Sequence, residues 1–232
     1  MRTPVVLVTL ISLCVLAIPA ISLTTREVDL VCPINGEKFK QVLARSGSQF
    51  GQMLDLKPYG QIASPWPLPV CPGNGFVVYR RDFKSEEIER FKSFVDTAGY
   101  IAIRNETPYY RVAKLRRFLG EDEDLIAYAF LQATWEARSP DQYARYARVA
   151  LRQYRYILAK PEHDDMKWPT QQIIAGELER RLGLFDKART RFAKLKELDQ
   201  FKQGVFPDIV ELQLRLIDEK NTGSHRIPRK SR

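Results

Sequence analysis

Two short stretches of the chain repeat one another. Cys32-Pro33-Ile34-Asn35-Gly36 and Cys71-Pro72-Gly73-Asn74-Gly75 both read C-P-x-N-G. The proline after each cysteine fixes φ, and the closing glycine accepts the positive φ that a tight reversal needs. Paired Cys-Pro turns closing on glycine form the knuckles of a four-ligand zinc ribbon, where each turn reads C-P-x-C-G and supplies two thiolates. Here the second cysteine of both turns is an asparagine. A neutral amide replaces a zinc thiolate poorly, whereas Asn stabilises turns by bonding its own backbone and tolerating left-handed geometry. The degenerate knuckle positions Asn35, Gly36, Asn74 and Gly75 are expected to keep the turn and lose the metal, so no metal or other cofactor is expected.

If the two turns face each other, Cys32 and Cys71 stand where two thiolates would share a metal, within a modest adjustment of disulfide geometry. In an oxidising compartment they are expected to bond. The chain-entropy account assigns about 4 kcal/mol to closing a loop of about 40 residues. The competing readings are two unrelated Asn-Gly turns with free buried thiols, and a residual metal site.

The amino terminus supplies that compartment. Arg2 gives a short positive start, Val5 to Ala17 is an uncharged apolar run broken only by Thr9 and Ser12, and Ala17, Pro19, Ala20 and Ser22 are small or turn-forming. This is the order of a signal peptide over residues 1–22, with cleavage after Ala20 or Ser22. The alternative is an uncleaved single-span inner-membrane anchor, since Val5 to Leu23 is about the length that crosses a hydrocarbon core. Either way residues from 24 onward lie outside the cytoplasm, exported to the periplasm or cell envelope, where thiols oxidise.

Val31 to Val95 resembles an uncharacterised bacterial domain-of-unknown-function family with paired C-P-x-C-G knuckles followed by helical repeats. The matching features are Cys32-Pro33, Gly36, Phe39, Asp55-Leu56-Lys57-Pro58-Tyr59, Pro65-Trp66-Pro67-Leu68, Cys71-Pro72, Gly75-Phe76 and Asp82-Phe83. The resemblance implies a ribbon-like module with a helical tail, with Cys32 and Cys71 at former ligand positions. It lends no activity.

The rest of the chain reads as helix. Ser85-Glu86-Glu87 is expected to cap a connecting helix that runs to Gly99. Beyond Pro108, apolar residues recur with a period near 3.6 over Tyr109 to Leu119, Leu125 to Ala137, Tyr143 to Leu158, Thr170 to Leu182, Ala188 to Leu198 and Pro207 to Leu216. Gly120, Ser139-Pro140, Pro161 to Pro169, Gly183 and Gly204 mark the turns. Within Ile174 to Leu195 small residues fall where two helices would touch. Gly176 permits close approach, Gly183 ends the first helix, and Ala188, Phe192 and Leu195 line the second, which looks like one tetratricopeptide unit. An ordinary bundle is the alternative. The expected fold is mainly α: a small ribbon-like α+β module over residues 27–98, an antiparallel helical bundle with tetratricopeptide-like pairs over 104–219, and a basic disordered tail over 220–232.

Several function classes are weakened by charge. The chain carries a net charge of +9, but five basic residues and no acid follow Glu219, so over half of the excess sits in the tail and the body is only mildly basic. That argues against a nucleic-acid protein. The tail itself could touch anionic lipid or cell-wall polymer. Helix Tyr143 to Leu158 places Arg145, Arg148, Arg152 and Arg155 on one face with no acid among them, a stripe able to grip carboxylates or phosphates of a partner, or simply a solvated face. Glu162-His163-Asp164-Asp165 reads as a polar turn, and neither a nucleophile elbow nor a phosphate-cradling glycine loop is present. The expected role is a non-catalytic protein-binding or scaffolding module of the cell envelope. The contrasting one is an enzyme acting on an anionic envelope substrate.

Overall fold

A computed structural model describes residues 23–162 and 166–228; the expected signal segment, the His163-Asp164-Asp165 part of the polar turn and residues 229–232 of the expected disordered tail lie outside the described residues. The molecule is mainly helical, with a small antiparallel β part at its amino-terminal end. Strands β1 (Thr24–Val31) and β2 (Lys38–Ser46) pair as a hairpin whose tip is the first Cys-Pro turn. A second hairpin joins β3 (Ser48–Gln52) to β4 (Pro58–Gln61). The second Cys-Pro turn closes a shorter ladder, where Val70 bridges Val77.

Helices α1 (Ser85–Val95) and α2 (Ala98–Ile101) follow. Two details differ from expectation. Ser85 is the first helical residue rather than the cap; Lys84 is the cap, and its N–H is taken by the Glu87 carboxylate at 2.8 Å. The helix also breaks after Val95, because Thr97 caps a new turn by accepting the Tyr100 N–H at 3.2 Å.

Helices α3 (Pro108–Leu119), α4 (Glu123–Trp135), α5 (Pro140–Leu158), α6 (Trp168–Arg181), α7 (Phe185–Glu197) and α8 (Phe206–Asp218) complete the chain, each packed on the next. Their ends obey simple rules. Pro108, Pro140, Pro169 and Pro207 occupy first turns, where a missing N–H costs nothing. Asp122 and Ser139 accept N–H groups of the helices they precede, and Gly120 ends α3 at φ +73°.

One buried cluster runs from Cys32, Cys71 and Phe76 through Phe91, Phe130 and Tyr146 to Leu178. A second gathers Phe192, Phe201, Ile209 and Leu216 around Leu54, which reaches in from the β3–β4 hairpin. Between the clusters lies α6, buried on nearly every side even at Glu177, Glu179 and Arg180. Arg180 has no exposed surface, and all three of its nitrogens donate: Glu177 is held in a fork, Gln213 accepts at 2.9 Å, and the carbonyls of Asn221 and Gly223 accept as well. Burial raises the Glu177 pKa, against the pull of Arg180.

Those carbonyls belong to the segment expected to be a disordered tail. Residues 221–228 instead lie along the second hairpin: Leu54 N–H donates to His225 O at 2.8 Å, Ile227 N–H donates to Gln52 O at 2.9 Å, and the Arg226 guanidinium covers the Tyr59 ring. Backbone pairing and the capture of Arg180 outweigh the chain entropy that its polar composition would otherwise keep.

Candidate functional site

The two Cys-Pro turns are the same structure. Gly36 N–H donates to Cys32 O and Gly75 N–H to Cys71 O, both at 2.9 Å, with φ of +74° and +73°. Each cysteine N–H then donates across the ladder, Cys32 to Glu37 O and Cys71 to Phe76 O. The turns face each other, and Cys32 and Cys71 form a disulfide with a Cα–Cα distance of 5.5 Å across 39 residues of chain. Both sulfurs are fully buried.

The asparagines serve the backbone. Asn35 Oδ1 accepts the Glu37 N–H at 3.2 Å, and Asn74 Oδ1 accepts the Phe76 N–H at 2.8 Å. The pair is not equivalent beyond that, because Asn74 is buried and its Nδ2 also donates to Cys32 Sγ at 3.6 Å, whereas Asn35 is exposed. Glu37 and Gln41 of the first hairpin bind Gly73 N–H, Leu68 O and Val70 N–H of the second turn. The Gly75 carbonyl accepts from Tyr100 at 2.8 Å and from the buried Arg111 at 2.7 Å, which fastens the stapled module to α3. Burial raises the Tyr100 hydroxyl to about 12.

The arginine stripe divides in two. Arg145 grips the Glu106 carboxylate through both terminal nitrogens and holds it below the usual carboxylate range. Arg155 donates to Glu179 at 3.0 Å, and Arg191 of α7 donates to the same carboxylate twice at 2.9 Å. Burial alone would raise the Glu179 pKa, but these two guanidiniums outweigh it and keep the group low. Arg148 and Arg152, between the tied ends, are exposed and have no acid partner among the described residues.

Sequence reasoning missed two further cations on this side. Lys114 and Arg117 of α3 lie near Arg152; burial lowers the Lys114 pKa, and the charges of Arg117 and Arg152 lower it further. Lys114 also sits over the Tyr110 ring, which stacks on Tyr146 of α5. The signal was hidden because the residues lie on a different helix, and only packing brings them beside the stripe.

Where α5, α6 and α7 meet, an open groove of about 1000 Å³ is lined by Trp168, Leu195 and Leu198 and crossed by the Arg155–Glu179–Arg191 group. Its buried carboxylate is held ionised, the opposite of what a general acid requires. Its hydroxyl, Thr190, donates to the Asp186 carbonyl. Among the described residues no group of three His, Cys, Asp or Glu is placed to hold a metal ion, and no helix is long and apolar enough to cross a membrane. In comparisons with known proteins the chain matches no family model, no curated protein and no solved structure.

Proposed function

We propose that the chain is an exported, non-catalytic protein-binding module of the cell envelope, a degenerate zinc ribbon stapled by a disulfide and carried on tetratricopeptide-like helix pairs. The contact surface is the strip of Arg148 and Arg152, continued by Lys114, and the adjoining groove. One observation carries this reading. The outer arginines of the stripe are neutralised by acids from neighbouring elements, while the inner two are exposed and have no acid partner among the described residues. Guanidiniums so placed suit the carboxylates of an acidic partner segment. The interlock of α6 and α7 at Gly176 and Phe192 supports the helix-pair reading. The disulfide supports an oxidising location. An enzyme acting on an anionic substrate would use the same positive strip, and the one buried carboxylate of the adjoining groove, Glu179, is already committed to Arg155 and Arg191.

The test is capture from an envelope extract with the wild-type chain and with Arg148→Gln/Arg152→Gln. The double variant should retain an acidic partner at least about fivefold less, and wild-type capture should fall with added salt. Equal retention by both chains returns the strip to a solvated face.

A further inference from the structure

Strand β1 has one neighbour. It pairs with β2 along its length, and no described strand pairs with its other side. Cys32 N–H donates to Glu37 O at 2.8 Å, one step beyond the last pair of the ladder, and this fixes which residues bond across the hairpin. Antiparallel pairs alternate between bonded and non-bonded. Leu30, Val28 and Arg26 therefore bond to β2, while Val31, Asp29, Glu27 and Thr25 turn their N–H and C=O groups outward. Those four N–H groups have no acceptor among the described residues. The same four residues share a face, because side chains alternate with period two. All four are exposed, whereas Val28 and Leu30 on the opposite face are half-buried.

Free edges are usually blunted by a bulge, a proline or a covering element. This one is regular from Thr25 to Val31, with its one irregularity between Thr24 and Thr25, and it contains no proline. Charge guards it instead. Glu27 and Asp29 stand in the outer row and share a single ammonium, that of Lys40 on β2, at 3.6 and 3.7 Å. The face is thus striped, with acids on β1 and Lys38 and Lys40 on β2. Such a stripe selects its next strand. A two-fold pairing with a second copy, centred on Glu27, Val28 or Asp29, would set one of these carboxylates opposite another, which is unfavourable. A strand with cations at alternate positions answers both acids, as Lys40 answers Asp29 directly across the hairpin.

We propose that the free edge of β1 takes an extended segment of a partner protein as a third, antiparallel strand, with Lys or Arg at the two alternate positions that face Glu27 and Asp29. Main-chain bonds to Thr25, Glu27, Asp29 and Val31 supply the affinity, and the two acids supply the choice of partner. The edge uses no residue of the α5 strip, so neither contact depends on the other.

Titration calorimetry of the full chain with a capped peptide of about seven residues, alternating lysine and threonine, tests this. The controls carry glutamate in place of lysine, N-methyl groups on the lysine amides, or N-methyl groups on the threonine amides. In the antiparallel arrangement the lysine amides bond to β1 and the threonine amides point away. Saturable binding of the parent peptide is expected, about tenfold or more weaker for the glutamate and lysine-methylated peptides and within about threefold for the threonine-methylated one. Glu27→Lys/Asp29→Lys, on an exposed edge, should leave Tm nearly unchanged and reverse the preference to the glutamate peptide. Bound peptide should slow hydrogen exchange at the Thr25, Glu27, Asp29 and Val31 amides and leave Val28 and Leu30 as they are. Absence of saturable binding, a lysine-methylated peptide that binds as tightly as the parent, exchange slowed elsewhere and not on β1, or a chain that dimerises through β1 by itself would overturn the assignment.

Discussion

The ring of Phe192 lies so close to Gly176 that a β-carbon on the glycine would stand 2.4 Å from Cζ. No side chain fits at 176 while the ring keeps its place. This single approach sets the spacing of α6 and α7. Gly176→Ala gains about 1 kcal/mol in helix propensity but overpacks the interface by about 1–3 kcal/mol or more. The expected outcome is a net loss of up to about 2 kcal/mol in urea unfolding, recovered at least in part by adding Phe192→Leu.

The carboxyl-terminal segment is a structural strut. Ending the chain at Lys220 removes the carbonyls that satisfy Arg180 and the backbone pairs with Gln52 and Leu54. Arg180 keeps Glu177 and Gln213, but the guanidinium hydrogens left without those carbonyls, together with the lost backbone pairs, should cost about 2–3 kcal/mol. Thermal unfolding of the truncated chain should show a Tm lower by roughly 5 °C or more for a chain of this size.

Acid should weaken the protein through Glu179. Its folded pKa lies below its ordinary value of 4.5, so its contribution is complete above that value and is lost as pH falls through the lower folded pKa. Glu179→Gln should therefore be less stable than wild type near neutrality, by about 2 kcal/mol, with the difference shrinking toward pH 3. Denaturant midpoints measured from pH 7 to pH 3 check both the sign and the window.

Much of this fold was legible because it is written locally. The six helices beyond Pro108 announce themselves by apolar period, proline at their starts and glycine at 120 and 183. The staple was legible because a turn of fixed chemistry occurs twice. What was not legible depends on partners distant in sequence. Glu177, Glu179 and Arg180 look like a solvated helix face, yet α6 is enclosed and each finds its counter-charge or carbonyl there. The acids that neutralise Arg145 and Arg155 sit on the α2–α3 connection and on α6, so no inspection of α5 alone could divide the stripe. The Leu54 to Lys57 turn is too short for a periodic signal, and its role appears only when the last residues fold onto it.

The buried amide of Asn74 should matter more than the exposed one of Asn35. Asn74→Ala strands the Phe76 N–H and should cost about 1–3 kcal/mol, while Asn35→Ala should cost only a few tenths. Placing cysteine at both second positions, as Asn35→Cys/Asn74→Cys under reducing conditions, should create a four-thiolate site. One zinc per chain by mass spectrometry and a cobalt charge-transfer band are expected.

The most direct test is the state of the two sulfurs in protein recovered from the compartment where it resides. Alkylation without reductant followed by peptide mapping should leave Cys32 and Cys71 unmodified and joined in one bridged peptide, both labelling only after reduction. Two freely labelled thiols, or a zinc ion released on denaturation of the wild-type chain, would contradict the covalent staple between the two turns.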